Sequence, residues 1–389
     1  MGIFSRGEKR KLGLVFDIGS SSVGGALFYI EKSKVPQIFH TVREPLVLLP
    51  KLDIDQFLSL TFKTLSTVAE KISQAGVGAP DKIFCVLGPA WYGSQTRIIK
   101  LAKNTPFTFT TKLADELIQK EIHLFEEEHL LRYLEEEERS IPIELKNLKI
   151  SLNGYPTENP LFRRARELEM TIFISMGGKL FLEQAQAVIR DHFHRDEVKF
   201  SSLTMASFTA VRDLYSLSDF LLVNIGGEIT AIALVKKDIL CESNSFPMGR
   251  NFIIREVARE LGVTLEEAKS LVSLYKDEHA EGRVRVKLEK AIGKIRSDWL
   301  KKFQESLAGL SNDISLPSDI FVIADPDLAN FFSEMIKNEQ LSQYTLTDSK
   351  FKINFLDEKA LHGAVSFTGN ATRDSALSLE SIYINRYLC

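Results

Sequence analysis

Cysteine and long apolar runs are both scarce in this chain. The three cysteines, Cys85, Cys241 and Cys389, are scattered, odd in number and without C-x-x-C spacing. That pattern favours a reducing compartment and argues against a metal site. No apolar run approaches the length of a membrane-spanning helix, and no signal peptide is visible. These absences predict a cytoplasmic protein.

Net charge is small as well. The 389 residues carry a formal net charge of −3, so the molecule as a whole does not attract nucleic acid. A hydrophobic content of 44% with a charged content of 26% is typical of a soluble globular protein, and the length predicts two domains or lobes. The first eleven residues are basic and could touch an anionic membrane, but a solvated tail is the preferred interpretation.

Two common nucleotide motifs are missing. The chain has no G-x-x-x-x-G-K-[ST] sequence, and no helical pattern opens after its first glycine-rich turn, so neither a P-loop nor a Rossmann site is predicted. What stands there instead is residues 14–28, two apolar runs joined by a turn of glycine and serine. This pattern predicts two strands and a tight turn.

The first turn has the chemistry of a phosphate site. Backbone N–H groups and serine hydroxyls can bind an anion, while the carboxylate of Asp17 can hold a hydrated Mg²⁺. An ordinary hairpin is the alternative interpretation. Residues 220–235 repeat the same plan, with Asn224 aligned to Asp17, and an internal repeat of this type predicts two related lobes facing each other across a cleft. The predicted phosphate-binding residues are Asp17, Gly19, Ser20, Ser21, Ser22, Asn224, Gly226 and Gly227, with Asp17 as the metal ligand.

A different composition separates the two motifs. Residues 112–138 predict a long helix with an apolar side and an acidic, solvated side, and strands are predicted at 145–152 and 169–175 around a turn-rich link. A further helix is predicted at 180–193. We therefore predict that this segment forms a separate α+β module inserted into the first lobe. The chain then returns to helix 204–214 and the second motif.

The two motifs, the helix at 204–214 and residues 246–258 together resemble the bacterial actin-like proteins of the FtsA and PilM type. The resemblance extends over nearly the whole chain, with residues 262–269 similar to a TPxEEAE-like segment of that family. It implies a two-lobed actin-like (ribonuclease H-like) α/β fold with an inserted α+β subdomain of the SHS2 type. The implied domains are a first lobe at 1–84, the inserted module at 85–195, a return with the interlobe helix at 196–217, the second lobe at 218–371 and a C-terminal tail at 372–389.

Several residues depart from the family's ATPase pattern. Asn224 stands where family ATPases usually carry an acidic residue, and Glu228 replaces a third glycine where phosphate would approach. Asp325 and Asp327 stand where the adenosine site usually has a glycine pair. No group for activating water is evident. The sequence therefore predicts weak binding of ATP and Mg²⁺ with little or no turnover.

The resemblance implies a cytoplasmic scaffold at the inner face of the cell membrane, serving pilus assembly or cell division. Its partner would be a cytoplasmic tail of an inner-membrane protein, seated against the 85–195 module. The acidic helix face around Glu126 and Glu135 would attract a basic tail. Membrane contact would be indirect or peripheral, and no nucleic-acid partner is expected. An active ATPase or sugar-kinase-like enzyme of the same fold is the alternative, and self-association into filaments stays open.

Overall fold

The computed structural model describes residues 10–31, 34–133, 139–276, 279–310, 316–337, 351–369 and 371–388. The first nine residues of the basic N-terminal segment lie outside the described residues, as do Glu135 of the predicted acidic face and Cys389. The side chain of Asp327 is likewise outside the described part of the chain.

The first sheet contains the first predicted hairpin at its centre. Its strands are β1 (Lys11–Ile18), β2 (Ser22–Ile30), β3 (Gln37–Pro45), β4 (Lys82–Leu87), β9 (Val198–Ser202) and β15 (Ser366–Phe367). They lie in the order β15-β3-β2-β1-β4-β9. Strands β1, β2 and β3 are antiparallel, whereas β4 and β9 run parallel to β1. Helices α1 (Ile54–Ser73) and α3 (Lys179–Phe193) pack against each other on this domain, which explains why β1 is buried along nearly its whole length.

The second sheet repeats the order of the first. Its strands are β10 (Phe220–Ile225), β11 (Thr230–Lys236), β12 (Ile239–Phe246), β13 (Asp319–Ala324) and β14 (Lys352–Phe355). The order β12-β11-β10-β13-β14 matches β3-β2-β1-β4-β9 strand for strand, including which neighbours are antiparallel. The predicted internal repeat is therefore a repeat of whole sheets. The helices that accompany it are α4 (Leu203–Tyr215), α5 (Arg250–Leu261), α6 (Leu265–Lys276), α7 (Gly282–Gly309) and α8 (Pro326–Lys337).

One helix start in this domain has a clear local cause. Thr264 precedes α6, and its hydroxyl accepts the N–H of Glu267 at 3.2 Å, while the Glu267 carboxylate accepts the N–H of Thr264 at 2.9 Å. This reciprocal pair is a capping box, which satisfies two donors that the helix itself cannot.

The insertion is a separate four-stranded sheet. It consists of β5 (Tyr92–Thr108), α2 (Thr111–Tyr133), β6 (Ser140–Leu152), β7 (Tyr155–Pro156) and β8 (Arg164–Gly178), in the strand order β5-β8-β6-β7. Helix α2 packs on one face through Ile122 and Phe125. The predicted module boundaries of 85–195 are too wide, because residues 85–87 belong to β4 and α3 packs on α1. Deleting 85–195 would therefore damage the first domain.

The C-terminal segment is a core element rather than a tail. After turns and β15, the chain forms α9 (Ser375–Tyr383) and a π-helical turn (Ile384–Leu388). Residues 360–367 form turns and the short strand β15, and the last helix of the described residues is α9 with its π-helical turn. Leu377, Ile382 and Tyr383 are fully buried. Because α9 is buried around its circumference and mixes apolar residues with buried serines and Glu380, it has little amphipathic period for sequence analysis to detect. The second lobe thus ends before residue 366, not at 371.

Candidate functional site

The turns of the two hairpins meet at the interface between the domains. In the first hairpin Asp17 pairs with Gly24 across β1 and β2, and in the second Asn224 pairs with Ala231 across β10 and β11. Each turn closes with an equivalent backbone bond, Gly19 N to Ser22 O at 3.1 Å and Gly226 N to Ile229 O at 2.9 Å. The structure therefore places the predicted phosphate residues on matching positions of the two repeats.

The two turns are in direct contact. The hydroxyl of Ser20 accepts the backbone N–H of Glu228 at 3.0 Å. A Cβ added to Gly227 would lie 2.5 Å from the backbone oxygen of Ser20, so only glycine allows the two backbones to approach this closely. The Ser20 hydroxyl and the Glu228 N–H, which would face phosphate oxygens from opposite sides of a cleft, instead bind each other.

The second turn is also engaged from the other side. Its carbonyl oxygens at Gly226 and Gly227 accept the backbone N–H groups of Arg250 at 2.9 Å and Asn251 at 2.8 Å. These N–H groups belong to the first turn of α5, which has no internal acceptor for them. A free helix N-terminus is a common anion site, and here the hairpin itself binds part of it.

Asp17, the predicted metal ligand, is ion-paired. Its Oδ2 accepts Nη2 of Arg43 on β3 at 2.8 Å, and the same guanidinium donates to Oδ2 of Asp374 at 2.5 Å and to the hydroxyl of Ser22 at 2.8 Å. Asp374 also caps α9 by accepting the N–H of Leu377 at 3.0 Å. Arg43 therefore holds the first hairpin to the C-terminal helix and provides the positive charge beside Asp17.

A further carboxylate lies beneath this cluster. Glu380 on α9 is fully buried beside the carboxyl group of Asp17, and its oxygens have no other hydrogen-bond partner among the described residues. Burial, followed by the charge of Asp17, raises the pKa of Glu380 well above its usual range. The pKa of Asp17 is also raised, because burial outweighs the attraction of Arg43. Burial opposes ionisation of Asp374 too, but Arg43 and the helix N–H groups hold its pKa below the usual value.

The carboxylate of Glu228 is ion-paired within the chain. Its carboxylate forms a bidentate ion pair with the guanidinium of Arg255 at 2.6 and 2.8 Å and accepts the amide of Asn251 at 2.7 Å. The same arginine donates to the backbone oxygen of Leu49, at 2.8 Å, so it also connects α5 to the first domain. The negative charge predicted to repel phosphate is thus neutralised from within the chain.

The remaining residues discussed for the phosphate and adenosine sites make fewer contacts between the two turns. Ser21 contributes its carbonyl oxygen to the N–H of Leu46 at 2.9 Å. The buried side-chain nitrogen of Asn224 has no partner among the described residues. On the adenosine side, Asp325 is paired with Arg250 at 3.0 Å. Sequence reasoning missed Arg43, Arg255, Asp374 and Glu380, and no local motif marks them.

These residues do not fit ATP and Mg²⁺ in the observed arrangement. The Asp17 carboxylate is engaged by Arg43, and the turns that would enclose phosphates touch each other. Within the described ranges, no group of three or more histidine, cysteine, aspartate or glutamate side chains is arranged to hold a metal ion.

A separate groove lies between the inserted module and the first domain. It has a volume of about 470 Å³ and is lined by residues 141–146 of β6, by Leu182, Glu183 and Gln186 of α3, and by residues 198–201 of β9. Strand β9 is the last strand of its sheet, and at residues 140–147 β6 pairs only with β8 among the described strands. The groove is thus flanked by two sheet edges with free backbone hydrogen-bonding capacity.

The buried carboxylate of Glu144 connects the elements at the base of this groove by hydrogen bonds. Glu144 accepts the hydroxyls of Ser201 at 2.6 Å and Ser202 at 2.7 Å, together with the phenol of Tyr383. The network connects β6, β9 and α9, so the walls of the groove are rigidly positioned relative to one another.

Comparisons with known proteins identify the fold. A solved structure of the PilM-PilN type IV pilus biogenesis complex contains a similar chain, with a TM-score of 0.59 and 13% sequence identity over 98% of both chains. The chain has a PilM-type actin-like fold. That prediction is confirmed, together with its two-domain α/β architecture and insertion.

More distant similarities are found as well. A Bacteroides thetaiotaomicron protein with an actin-like ATPase fold has a TM-score of 0.43 at 9% identity, over 98% of this chain and 99% of the other. The ethanolamine utilization protein EutJ from Carboxydothermus hydrogenoformans has a TM-score of 0.41 at 11% identity, over 97% and 90%. No family model and no curated protein sequence matches the chain. In the described part of the chain, no helix combines the length and hydrophobicity needed to cross a membrane.

Proposed function

We propose that this actin-fold chain is a scaffold that binds the cytoplasmic tail of an inner-membrane protein and does not hydrolyse ATP. The observation that carries the proposal is the contact between the hairpin turns, through Ser20 and Glu228, with Asp17 already paired to Arg43. A hydrolytic cleft needs room for phosphates and a cation between these groups. Here internal ion pairs stabilise the domain arrangement that a bound nucleotide would otherwise stabilise.

The similarity to the PilM chain supports pilus assembly over cell division. The solved relative is named for type IV pilus biogenesis and is a complex of PilM with PilN. The function of such a scaffold is to bind a segment of its partner and hold it in a fixed position. We therefore assign the partner a short extended segment, located on the cytoplasmic side of the inner membrane.

The groove between β6, β9 and α3 is the proposed seat of that segment. An extended peptide can add to an exposed strand edge by main-chain hydrogen bonds, while pockets beside the strand select its side chains. The groove offers such an edge on two sides, and apolar side chains such as Ile143 and Phe200 lie among its lining residues. The charges of Lys146 and Lys199 are balanced by those of Glu144 and Glu183 in the lining, so the groove favours a segment chosen by its backbone and apolar side chains rather than by its net charge.

Two tryptophan substitutions on α3 test this seat. Glu183 lines the groove, whereas the next residue, Gln184, is exposed and is not among the lining residues. Fluorescent peptides covering the cytoplasmic segments of inner-membrane proteins encoded beside this gene would be titrated against each variant. We expect Glu183→Trp to weaken binding about tenfold or more by filling the groove, and Gln184→Trp to bind as the wild type.

The outcomes separate the possibilities. Equal loss in both variants would indicate damage to α3, which circular dichroism would reveal. Equal and unweakened binding in both would place the partner elsewhere on the molecule and contradict the proposed seat.

Calorimetry with ATP and Mg²⁺ tests the enzyme alternative. We expect no saturable heat of binding and no phosphate release from the wild type, because Asp17 is engaged by Arg43. Saturable binding that is lost in Asp17→Asn, together with steady phosphate release, would show a working ATPase. That result would overturn the nucleotide-independent part of the proposal.

A further inference from the structure

The inserted sheet has a free end that points away from the first domain. Strand β5 ends, β8 begins and β6 ends at this side, because β8 is antiparallel to both neighbours. The opposite ends of these strands, at Tyr92, Gly178 and Ser140, join the first domain. We call residues 103–109 and 153–166, at the free end, the distal tip.

Large apolar side chains are exposed at the distal tip. Phe162 is 76% and Tyr155 75% exposed, and Leu161 beside them is also exposed. Tyr155 lies in β7, and Leu161 and Phe162 lie in the loop between β7 and β8. Both parts are held at the same sheet end, since Phe162 N donates to Phe109 O at 2.8 Å and Asn153 N donates to Glu167 O at 2.9 Å. Exposed apolar groups brought together on loop tips are a feature of interaction surfaces.

The backbone holds these side chains outward at a conformational cost. Phe162 has a φ of 63°, in the left-handed region that aromatic residues rarely adopt. In the neighbouring turn, Asn153 has a φ of 50°, and its side-chain oxygen accepts the N–H of Arg166 at 2.8 Å. A strained aromatic residue that points into solvent contributes little to the core, so a role outside the fold is the better explanation.

Positive charge surrounds the apolar residues. Arg163, Arg164 and Arg166 are exposed, and within the described residues none of them forms an ion pair. With Lys103 they give four positive charges against Glu158, a local net charge of +3 on a molecule whose overall net charge is −3. This contrast makes the distal tip a site for an anionic partner.

We propose that the distal tip binds an anionic lipid bilayer. Aromatic and aliphatic groups at a convex turn can enter the headgroup boundary, while flanking arginines pair with lipid phosphates. A pocket of about 400 Å³ opens beside Gly154 and Pro156, but its lining includes neither the exposed apolar residues of the tip nor its arginines. These side chains therefore form an outward surface, which fits a bilayer better than a peptide seated in the pocket. The inference deepens the proposed function, because it places the scaffold on the membrane whose protein tail it would hold. It concerns a different surface from the groove.

Vesicle flotation tests the distal tip. The full chain would be mixed with vesicles of phosphatidylcholine alone or of equal parts phosphatidylcholine and phosphatidylglycerol. Phe162→Asn removes the ring and keeps a residue that tolerates positive φ. The triple variant Arg163→Gln, Arg164→Gln, Arg166→Gln removes the charge. Ile98→Thr, at a residue 57% exposed in the middle of β5, is the matched control.

We expect the wild type and Ile98→Thr to bind only the anionic vesicles at low salt. Each arginine near such a surface strengthens binding by about fivefold, so the triple variant should bind on the order of a hundredfold more weakly. Phe162→Asn should weaken binding by about tenfold. Circular dichroism would verify that the variants are folded.

Three results would overturn the inference. One is the absence of wild-type binding to anionic vesicles. Another is undiminished binding by both tip variants, which would assign the contact to another region such as the basic residues 1–11. The third is loss of self-association in the tip variants by sedimentation velocity without any lipid effect, which would assign the tip to a second copy. Peptide binding in the groove, measured on the same variants, should not change, so failure of the tip and failure of the groove remain distinguishable.

Discussion

Arg43 is the residue that most changes the interpretation of the first hairpin as a phosphate and metal site. Its guanidinium donates to Asp17, Ser22 and Asp374 at distances of 2.5 to 3.1 Å. Arg43 belongs to β3, so its positive charge is always present beside Asp17. A metal cation, in contrast, would have to be bound from solution. Any cation entering this site would have to displace a partly buried charge and leave two carboxylates unpaired, which is costly.

Glu380 makes the stability of this cluster depend on pH. Burial and the charge of Asp17 raise its pKa in the folded state above the ordinary value near 4.5. Above that ordinary value the unfolded chain loses the proton while the folded chain keeps it. The wild type therefore loses about 1.4 kcal/mol of unfolding free energy per pH unit, until the folded pKa is reached. Glutamine mimics the protonated acid and avoids this loss.

We expect Glu380→Gln to gain stability relative to the wild type as pH rises above about 4.5, with the gap smallest in acid. Urea unfolding at several pH values would measure it. Asp374, whose pKa is lowered, has the opposite dependence, losing its contribution as pH falls, but it is present in both proteins and cancels in the difference. The exposed Glu158→Gln is the control and should show a constant difference. A constant difference for Glu380→Gln as well would contradict the assignment.

At the scale of elements, the close approach of the two turns requires glycine at one position. Gly227 has no room for a side chain, because a Cβ would lie 2.5 Å from backbone Ser20 O. We expect Gly227→Ala to reduce the free energy of unfolding by about 1–3 kcal/mol, the usual range for overpacking. Urea unfolding would measure it.

Gly293, in contrast to Gly227, has room for a side chain. It lies inside α7 with nothing within 4 Å of an added Cβ. Gly293→Ala should raise stability by roughly 0.5–1 kcal/mol, since alanine loses less backbone entropy in a helix. If Gly227→Ala proved as stable as Gly293→Ala, the turns would not be in contact and the cleft would be open for a ligand.

At the scale of the molecule, one apolar core joins the two sheets. It contains Val15 and Phe28 of the first domain, Phe220 and Phe321 of the second, and Leu377 of α9. Helices α4 and α9 pack together within it. Because both domains share this core, they should unfold as one unit.

The chain's two tryptophans report on this cooperativity. Trp91 stacks on Phe181 at 4.5 Å in the first domain, and Trp299 stacks on Phe303 at 5.0 Å in the second. In Trp91→Phe and Trp299→Phe backgrounds, we expect one common urea midpoint. Leu377→Ala should lower the unfolding free energy from both reporters by about 2–5 kcal/mol. Val286→Ala, at an exposed site, should move neither. A shift of Trp91 fluorescence alone would show that the domains unfold independently.

Local patterns were sufficient to predict much of this fold. The hairpins at β1–β2 and β10–β11, and the helices α3 and α4, each depend on periodicity and turn residues within a contiguous stretch. Strand β5 was missed, because residues 103–106 interrupt its pairing with β8 and its exposed side chains alternate poorly. The apolar and acidic sides of residues 112–138 predicted a helix, which the structure confirms as far as Tyr133, where the described residues stop. The limits of the insertion depend on tertiary structure, because β4 pairs with β1 in the first sheet.

The sequence alone determined the repeated strand–turn–strand units and the paired glycine-rich turns, because those features are encoded by neighbouring residues. Tertiary structure alone decided what faces these turns. Arg43 meets Asp374 across 331 residues and Glu228 meets Ser20 across 208. Such pairs leave no period or spacing in the sequence, since complementary charges can be placed anywhere that folding will bring together. The cleft looked like a weakened phosphate site for that reason, and only the folded chain shows that its own side chains occupy it.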